Sequence, residues 1–133
     1  IKDKVIYRRV RHVVTEMSRV KKTFAALQAN DIKQVGKYLN ESHKSLKEDY
    51  EVTGLELDTI VRLAQAEKGV LGARMIGAGF AGCAIAIVNK SAVEEVINKV
   101  VQVTEDVLAE KNIYKGFRVE YNLDQLIFFI YLE

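Results

Sequence analysis

The chain contains no proline, a single cysteine and two histidines among 133 residues. Each scarcity excludes something. Without proline, no loop that depends on that ring's fixed φ can be present. With Cys83 alone, no disulfide can form within the chain, a usage that fits a reducing cytoplasm. His12, His43 and Cys83 show none of the spacings of a metal site, so no metal ligand set is expected. Neither sign of charge is in excess. The net charge is +2 with 29% charged residues, too mild a field to mark nucleic acid or an anionic membrane as a partner. Long hydrophobic runs are missing as well. The longest uncharged stretch, residues 75–88, is shorter than the roughly 20 apolar residues of a membrane-spanning helix, and 126–132 is shorter still. The opening Ile1-Lys2-Asp3-Lys4 has mixed charge, unlike a signal peptide.

What is present fits one globular domain over 1–133, with 49% hydrophobic residues and a core of its own. Ile6, Val10, Val13, Met17, Val20, Phe24 and Leu27 recur at alternating spacings of 4 and 3. That pattern predicts a helix with one continuous buried stripe, packed against its own domain. The basic stretch Arg8-Arg9-Val10-Arg11 reads as the solvated face of that helix. Asn30 or Asp31 caps a second helix, with Gln34 at the capping-box distance and Ile32, Val35, Leu39 and Leu46 inward. The polar run Asn40-Glu41-Ser42-His43 falls near its end, where capping and solvated surface are the expectation. Thr53-x-x-Glu56 opens a third helix with Leu57, Ile60, Val61 and Ala64 buried, and Gly69 supplies a left-handed stop.

Residues 73–76 and 83–88 are short, apolar and partly β-branched, which predicts two strands around a glycine turn. Ser91-x-x-Glu94 is another capping box, starting a fourth helix through about Lys111 with Val93, Val96, Ile97, Val100 and Val107 inward. Residues 117–121 and 126–132 read as two closing strands. The order α-α-α-β-β-α-β-β is that of an α+β fold, an antiparallel sheet of about four strands packed with helices.

Within the glycine turn lies Gly77-Ala78-Gly79-Phe80-Ala81-Gly82, a literal G-x-G-x-x-G. A dinucleotide site needs that run to open a helix directly, so that the helix N-terminus faces the pyrophosphate. Here a strand follows, and the next helix waits until Ser91. The dinucleotide reading fails on context. Two readings stay open for the hairpin: a tight turn between core strands, or a loop whose amides face a phosphate or another phosphate-holding loop.

The run Gly72-Ala-Arg-Met-Ile-Gly-Ala-Gly-Phe-Ala-Gly-Cys83 closely resembles the third conserved motif of galactokinases, members of the galacto-, homoserine, mevalonate and phosphomevalonate kinase superfamily. His12-Val-Val-Thr-Glu16, Asn40-Glu-Ser-His-Lys-Ser-Leu-Lys-Glu-Asp-Tyr-Glu-Val52 and Leu55-Glu-Leu-Asp58 look like galactokinase in the same order. The resemblance runs from about residue 5 to about residue 121. It implies a ferredoxin-like C-terminal kinase domain whose N-terminal partner domain precedes it in the family. That partner carries the sugar signature, the catalytic aspartate and a phosphate loop of the form Pro-x-x-x-Gly-Leu-x-Ser-Ser-Ala. None of these is found here, since the chain has neither proline nor adjacent serines.

By the same resemblance, the intact parent transfers the ATP γ-phosphoryl group to the C1 hydroxyl of galactose with magnesium, in the cytoplasm. This chain alone would be inactive, hold no cofactor and contribute no catalytic residue. Ile76, Gly77, Ala78, Gly79, Phe80, Ala81 and Gly82 would form the loop near the phosphates, and Asn40, Ser42, His43, Asp49 and Tyr50 inter-domain contacts. Three positions depart from the family pattern. Ile76 stands where threonine is usual, Ala81 where glycine is usual, and 122–126 replace a turn of the Asp-Gly-Ala type. Two further functions are compatible with the residues: a sugar-responsive regulator that binds a partner protein, and a superfamily kinase for another metabolite. A domain without its partner would expose an apolar patch around the glycine loop and the adjoining helices, and self-associate there or through the edge formed by 126–132.

Overall fold

The computed structural model describes residues 2–77, 82–113, 117–122 and 127–132. Helix α1 (Lys4–Gln28) and helix α2 (Ile32–Ser45) are followed by a single π-helical turn, Leu46–Tyr50, and helix α3 (Leu55–Ala66). Strands β1 (Val70–Ile76) and β2 (Cys83–Val88) form a hairpin, a short 3-10 turn Lys90–Ala92 leads into helix α4 (Val93–Ala109), and strands β3 (Phe117–Asn122) and β4 (Ile127–Leu132) complete the fold. The sheet is antiparallel, in the order β1-β2-β4-β3. This is the α+β architecture that helices grouped outside an antiparallel sheet imply.

The main core lies between one face of the sheet and helices α3 and α4. Leu57, Ile60, Val61 and Ala64 from α3 and Val93, Val96, Ile97 and Val100 from α4 close over Ala73, Met75, Ala84, Ala86 and Val88. The period-3.6 pattern of both helices and the alternation in β1 make these the inward positions. A smaller cluster on the other face joins Ala26, Val35 and Ile87 to Tyr38, Leu39 and Leu71. Cys83 is buried at the start of β2.

Several local expectations are corrected. The seven residues of the α1 stripe are exposed rather than buried, from 43% at Val10 to 63% at Val20. Only His12 and Ala26 of this helix are buried. The inward side of α1 is polar and meets the polar side of α2 and the π turn, so the apolar stripe is turned outward. The basic stretch stays largely solvated, as expected, but its arginines are also paired: Arg8 with Glu51 at 2.6 Å and Arg11 with Asp49. Asp31 caps α2 as expected, accepting the Gln34 N–H at 3.2 Å. Thr53 does not cap α3. Gly54 takes the N-cap position at φ 87°, and Thr53 is buried instead. Ser91 does not cap α4 either, because the 3-10 turn inserts before it. Gly69 does have the left-handed φ of 97°, but α3 has already ended at Ala66. Finally, β4 is paired on both sides, with β2 and β3, so it is no free edge for self-association.

Helix α2 lies along the outer edge of β1, and two glycines allow it. A methyl group on Gly36 would run into the Leu71 carbonyl, and one on Gly72 into the Gly36 carbonyl. Backbone therefore meets backbone where β1 carries a register shift between Val70 and Gly72. Gly77 differs: its φ is 78° and, among the described residues, nothing stands near a would-be Cβ. Gly36→Ala or Gly72→Ala is expected to destabilise the fold by about 1–3 kcal/mol through overpacking of rigid backbone. Gly77→Ala is expected to cost about 1–2 kcal/mol through its left-handed backbone alone. Urea unfolding checks both. An α2 glycine that accepts alanine without loss would contradict the close approach.

Candidate functional site

The glycine hairpin is the candidate site, and its supports come from three helices. Ile76 and Cys83 are the last paired residues on either side of it, so the run is strand, loop, strand. Ala78, Gly79, Phe80 and Ala81 lie outside the described residues. Of the other loop positions, Ile76 is half-buried at the end of β1, Gly77 begins the turn, and Gly82 is exposed just before β2.

Among the described residues strand β1 is the edge of the sheet, with β2 on one side only. In an antiparallel pair the N–H and C=O of alternate residues face away from the partner strand. On β1 these are the groups of Ala73 and Met75, and side chains satisfy all four. Asn40 Oδ1 accepts the Ala73 N–H at 2.9 Å, and His43 Nδ1 accepts the Met75 N–H at 3.1 Å. Gln65 Nε2 donates to the Ala73 carbonyl at 3.1 Å, and Arg74 Nε donates to the Met75 carbonyl at 2.6 Å. Helix neighbours three apart have Cβ atoms about 5–6 Å apart. Two strand residues advance about 6.6–6.8 Å. Asn40 and His43, one helical turn apart, can therefore meet successive outward amides of the strand.

His43 is 5% exposed. Because the Met75 N–H is a donor, Nδ1 must offer its lone pair, and the ring proton sits on Nε2. That nitrogen donates to Asp58 Oδ1 on α3 at 3.0 Å. Burial lowers the His43 pKa more than the Asp58 hydrogen bond raises it, which keeps the ring neutral as this geometry requires. Beside it, Arg74 donates from Nη1 to Ser42 Oγ at 3.0 Å, and Ser42 donates to Glu16 Oε2 at 2.7 Å. Glu16 also accepts from Arg19 Nε at 3.2 Å. Burial lowers the pKa of the Arg74 guanidinium, partly offset by Glu16.

The polar run 40–43 lies near the end of α2, as expected, but it is not solvated surface, because Ser42 and His43 are buried. Asp49 is buried too. It accepts from Arg11 Nε at 2.9 Å, while its carbonyl accepts from Arg9 Nη1 at 2.7 Å. The hydrogen bond from Arg11 is the main reason the Asp49 carboxyl titrates below its ordinary value. Tyr50 is exposed, with its ring 4.8 Å from that of His12. His12 is buried, its Nδ1 lying 2.8 Å from Ser45 Oγ, and burial is the main reason its pKa is lowered.

Sequence reasoning missed Gly36, Glu16, Gln65 and Arg74. A signal was available for the first: a glycine in mid-helix followed by Asn40 and His43 at spacings of 4 and 3, one helical face. Two surface clefts flank this network. One of about 320 Å³ runs between α1 and α2 past Val20, Phe24, Leu27, Tyr38, Leu39 and Arg74. The other, of about 370 Å³, opens beside His43, Asp58 and Arg62. Among the described residues no group of His, Cys, Asp and Glu gathers to hold a metal, and no helix is long and apolar enough to cross a membrane.

The two buried imidazoles set a pH dependence. Their folded pKa values lie below the 6.5 of an exposed histidine, so the unfolded chain binds more protons than the folded one as pH falls below that value. Their stabilising contribution is fully present above pH 6.5 and is lost progressively towards the lowered folded values. The urea midpoint is expected to fall between pH 7 and pH 5. A midpoint that stays level or rises over that window would rule out buried neutral rings.

The family model described as GHMP kinases C terminal matches residues 23–105. The chain is 53% identical over 106 residues to a galactokinase of Staphylococcus carnosus, covering 80% of this chain and 27% of that protein. It is 50% identical over 115 residues to a galactokinase of Clostridium acetobutylicum, covering 86% of this chain and 30% of that protein. The chain thus spans less than a third of the length of these relatives. The crystal structure of Lactococcus lactis galactokinase complexed with galactose superposes with a TM-score of 0.80 at 43% identity, over 100% of this chain and 30% of that one. The family model covers most of α2 through α4 and the glycine hairpin between them, and by that match the chain belongs to the GHMP kinase C-terminal family.

Proposed function

We propose that this chain is the C-terminal domain of a galactokinase. Its intact polypeptide would transfer the ATP γ-phosphoryl group to the C1 hydroxyl of galactose, with magnesium, in the cytoplasm. The observation that carries this reading is the identity to galactokinases of about half of the residues aligned with them, over a span that includes the glycine hairpin. The ferredoxin-like assignment is supported by the antiparallel sheet with helices closing one face.

The loop 76–82 has a supporting role in this reading. Phosphoryl transfer depends mostly on positioning and charge neutralisation. Gly77, Gly79 and Gly82 would let the backbone approach a phosphate loop carried by the preceding domain. Asn40, Ser42, His43 and Asp49 are engaged within this domain, which makes them supports of the seam rather than its contacts. Tyr50 retains an exposed ring for such a contact.

The outward stripe of α1 supports a preceding domain as partner. A monomer rarely leaves so many large apolar side chains exposed on one helix face. Val5, Ile6, Val10, Val13, Val14, Met17, Val20, Phe24 and Leu27 are all exposed on α1. Most of α1 also lies before residue 23, where the family match begins. The stripe is the natural surface for self-association when the chain is alone. Ile76 favours a second reading, a regulator released from catalytic demands, because it lacks the hydroxyl usual in the family.

The chain alone is expected to give no galactose phosphorylation, and the polypeptide with its N-terminal domain to turn over. Val13→Glu with Val20→Glu is expected to leave the stability of the isolated chain within about 0.5 kcal/mol, since both sites are solvated, and to reduce its self-association in light scattering. The same pair would sharply lower turnover in the two-domain enzyme. Turnover by the chain alone would overturn the fragment reading, and a wild-type parent without turnover would favour the regulator.

A further inference from the structure

Beyond the loop itself, one buried side chain joins three of the elements that support it. His43 projects from α2, accepts from the backbone of β1 and donates to Asp58 on α3. Its two ring nitrogens have different partners, and the partners dictate which nitrogen carries the proton. Met75, whose amide it holds, is one residue before Ile76 and two before Gly77, where the loop begins. Among the described residues no strand pairs with β1 on this side, so the amide is met by a side chain instead.

We propose that His43 is a positioning residue for the glycine loop: through Met75 it fixes the height and register of β1, and so the point from which residues 76–82 are launched. Resting on the galactokinase reading, this assigns His43 a part in phosphoryl transfer without contact with substrate. Both ring nitrogens are engaged and the ring is buried, so His43 cannot itself serve as acid or base for a substrate. Asp58 acts one step further back, by holding the proton on Nε2 and leaving Nδ1 free to accept. Asn40 makes the companion contact to Ala73, so β1 is held at two successive outward amides.

Two variants separate positioning from packing. In His43→Asn the amide oxygen reproduces the place of Nδ1 but leaves a larger void. In His43→Leu the volume is better filled but no acceptor remains for Met75. Hydrogen exchange of the Met75 amide in this chain is the first readout. The leucine variant is expected to lose about five- to tenfold of its protection, the worth of one hydrogen bond, and the asparagine variant to retain most of it. The reverse order, or equal loss in both, would overturn the proposal, because a packing role penalises the larger void. Nitrogen-15 NMR of the wild-type ring should show Nε2 protonated and Nδ1 bare near neutral pH, and the opposite tautomer would also overturn it.

The second readout is steady-state kinetics in the two-domain enzyme. His43→Leu should lower kcat with KM for galactose little changed, and His43→Asn should restore most of kcat. Equal kcat in the wild type and the leucine variant would overturn the functional half of the proposal. A wild-type parent that does not phosphorylate galactose would instead sink the galactokinase reading, while amide exchange would still judge the contact itself.

Discussion

The structure depends on how helix α2 covers the open edge of β1. An edge strand exposes unpaired N–H and C=O groups, and burying them without partners costs about as much as losing the hydrogen bonds. Here one face of α2 meets the problem position by position. Gly36 allows backbone contact at Leu71 and Gly72, Asn40 accepts from Ala73, and His43 accepts from Met75. Gln65 from α3 and Arg74 on the strand itself supply the donors for the two carbonyls. The edge is closed by side chains instead of another strand, and the hairpin loop leaves from the end of that closed edge.

The same helix couples α1 to the rest. Glu16 reaches Ser42 and through it Arg74, His12 meets Ser45, and Arg11 meets Asp49. The first two are hydrogen bonds of buried groups, and the third pairs a half-exposed Arg11 with a buried Asp49. Together they set the rotation of α1 about its axis. With its polar side committed inward, its apolar stripe points out. An amphipathic helix normally faces the other way. An inverted one is intelligible when a further apolar surface covers it, and the matched span is less than a third of each relative's length.

Periodicity located the helices and made the inward faces of α3 and α4 legible, because Leu57, Ile60, Val61, Val96 and Val100 are both apolar and regularly spaced. It misplaced the face of α1, since spacing reveals that a stripe exists and not what it packs against. The capping boxes at Thr53 and Ser91 were misleading because tertiary packing buried Thr53 and inserted a 3-10 turn before α4. Asp31, at an ordinary helix start, capped as its local chemistry dictates. The residues that make the site were visible as letters, but their roles were not. Asn40 and His43 bond to amides more than thirty positions away, and only the docking of α2 on β1 brings them there.

The amino-acid sequence by itself determined the elements, the α+β class and the strand-loop-strand setting of the glycines, which excludes a dinucleotide site. These follow from local spacing and from what glycine and β-branched residues permit. Only the tertiary structure decided that a buried neutral histidine holds the strand ahead of the loop, and that the longest helix shows its apolar side to the outside. Both are matters of which surfaces meet, and that is set by the joint satisfaction of backbone groups and charges across elements far apart in the chain.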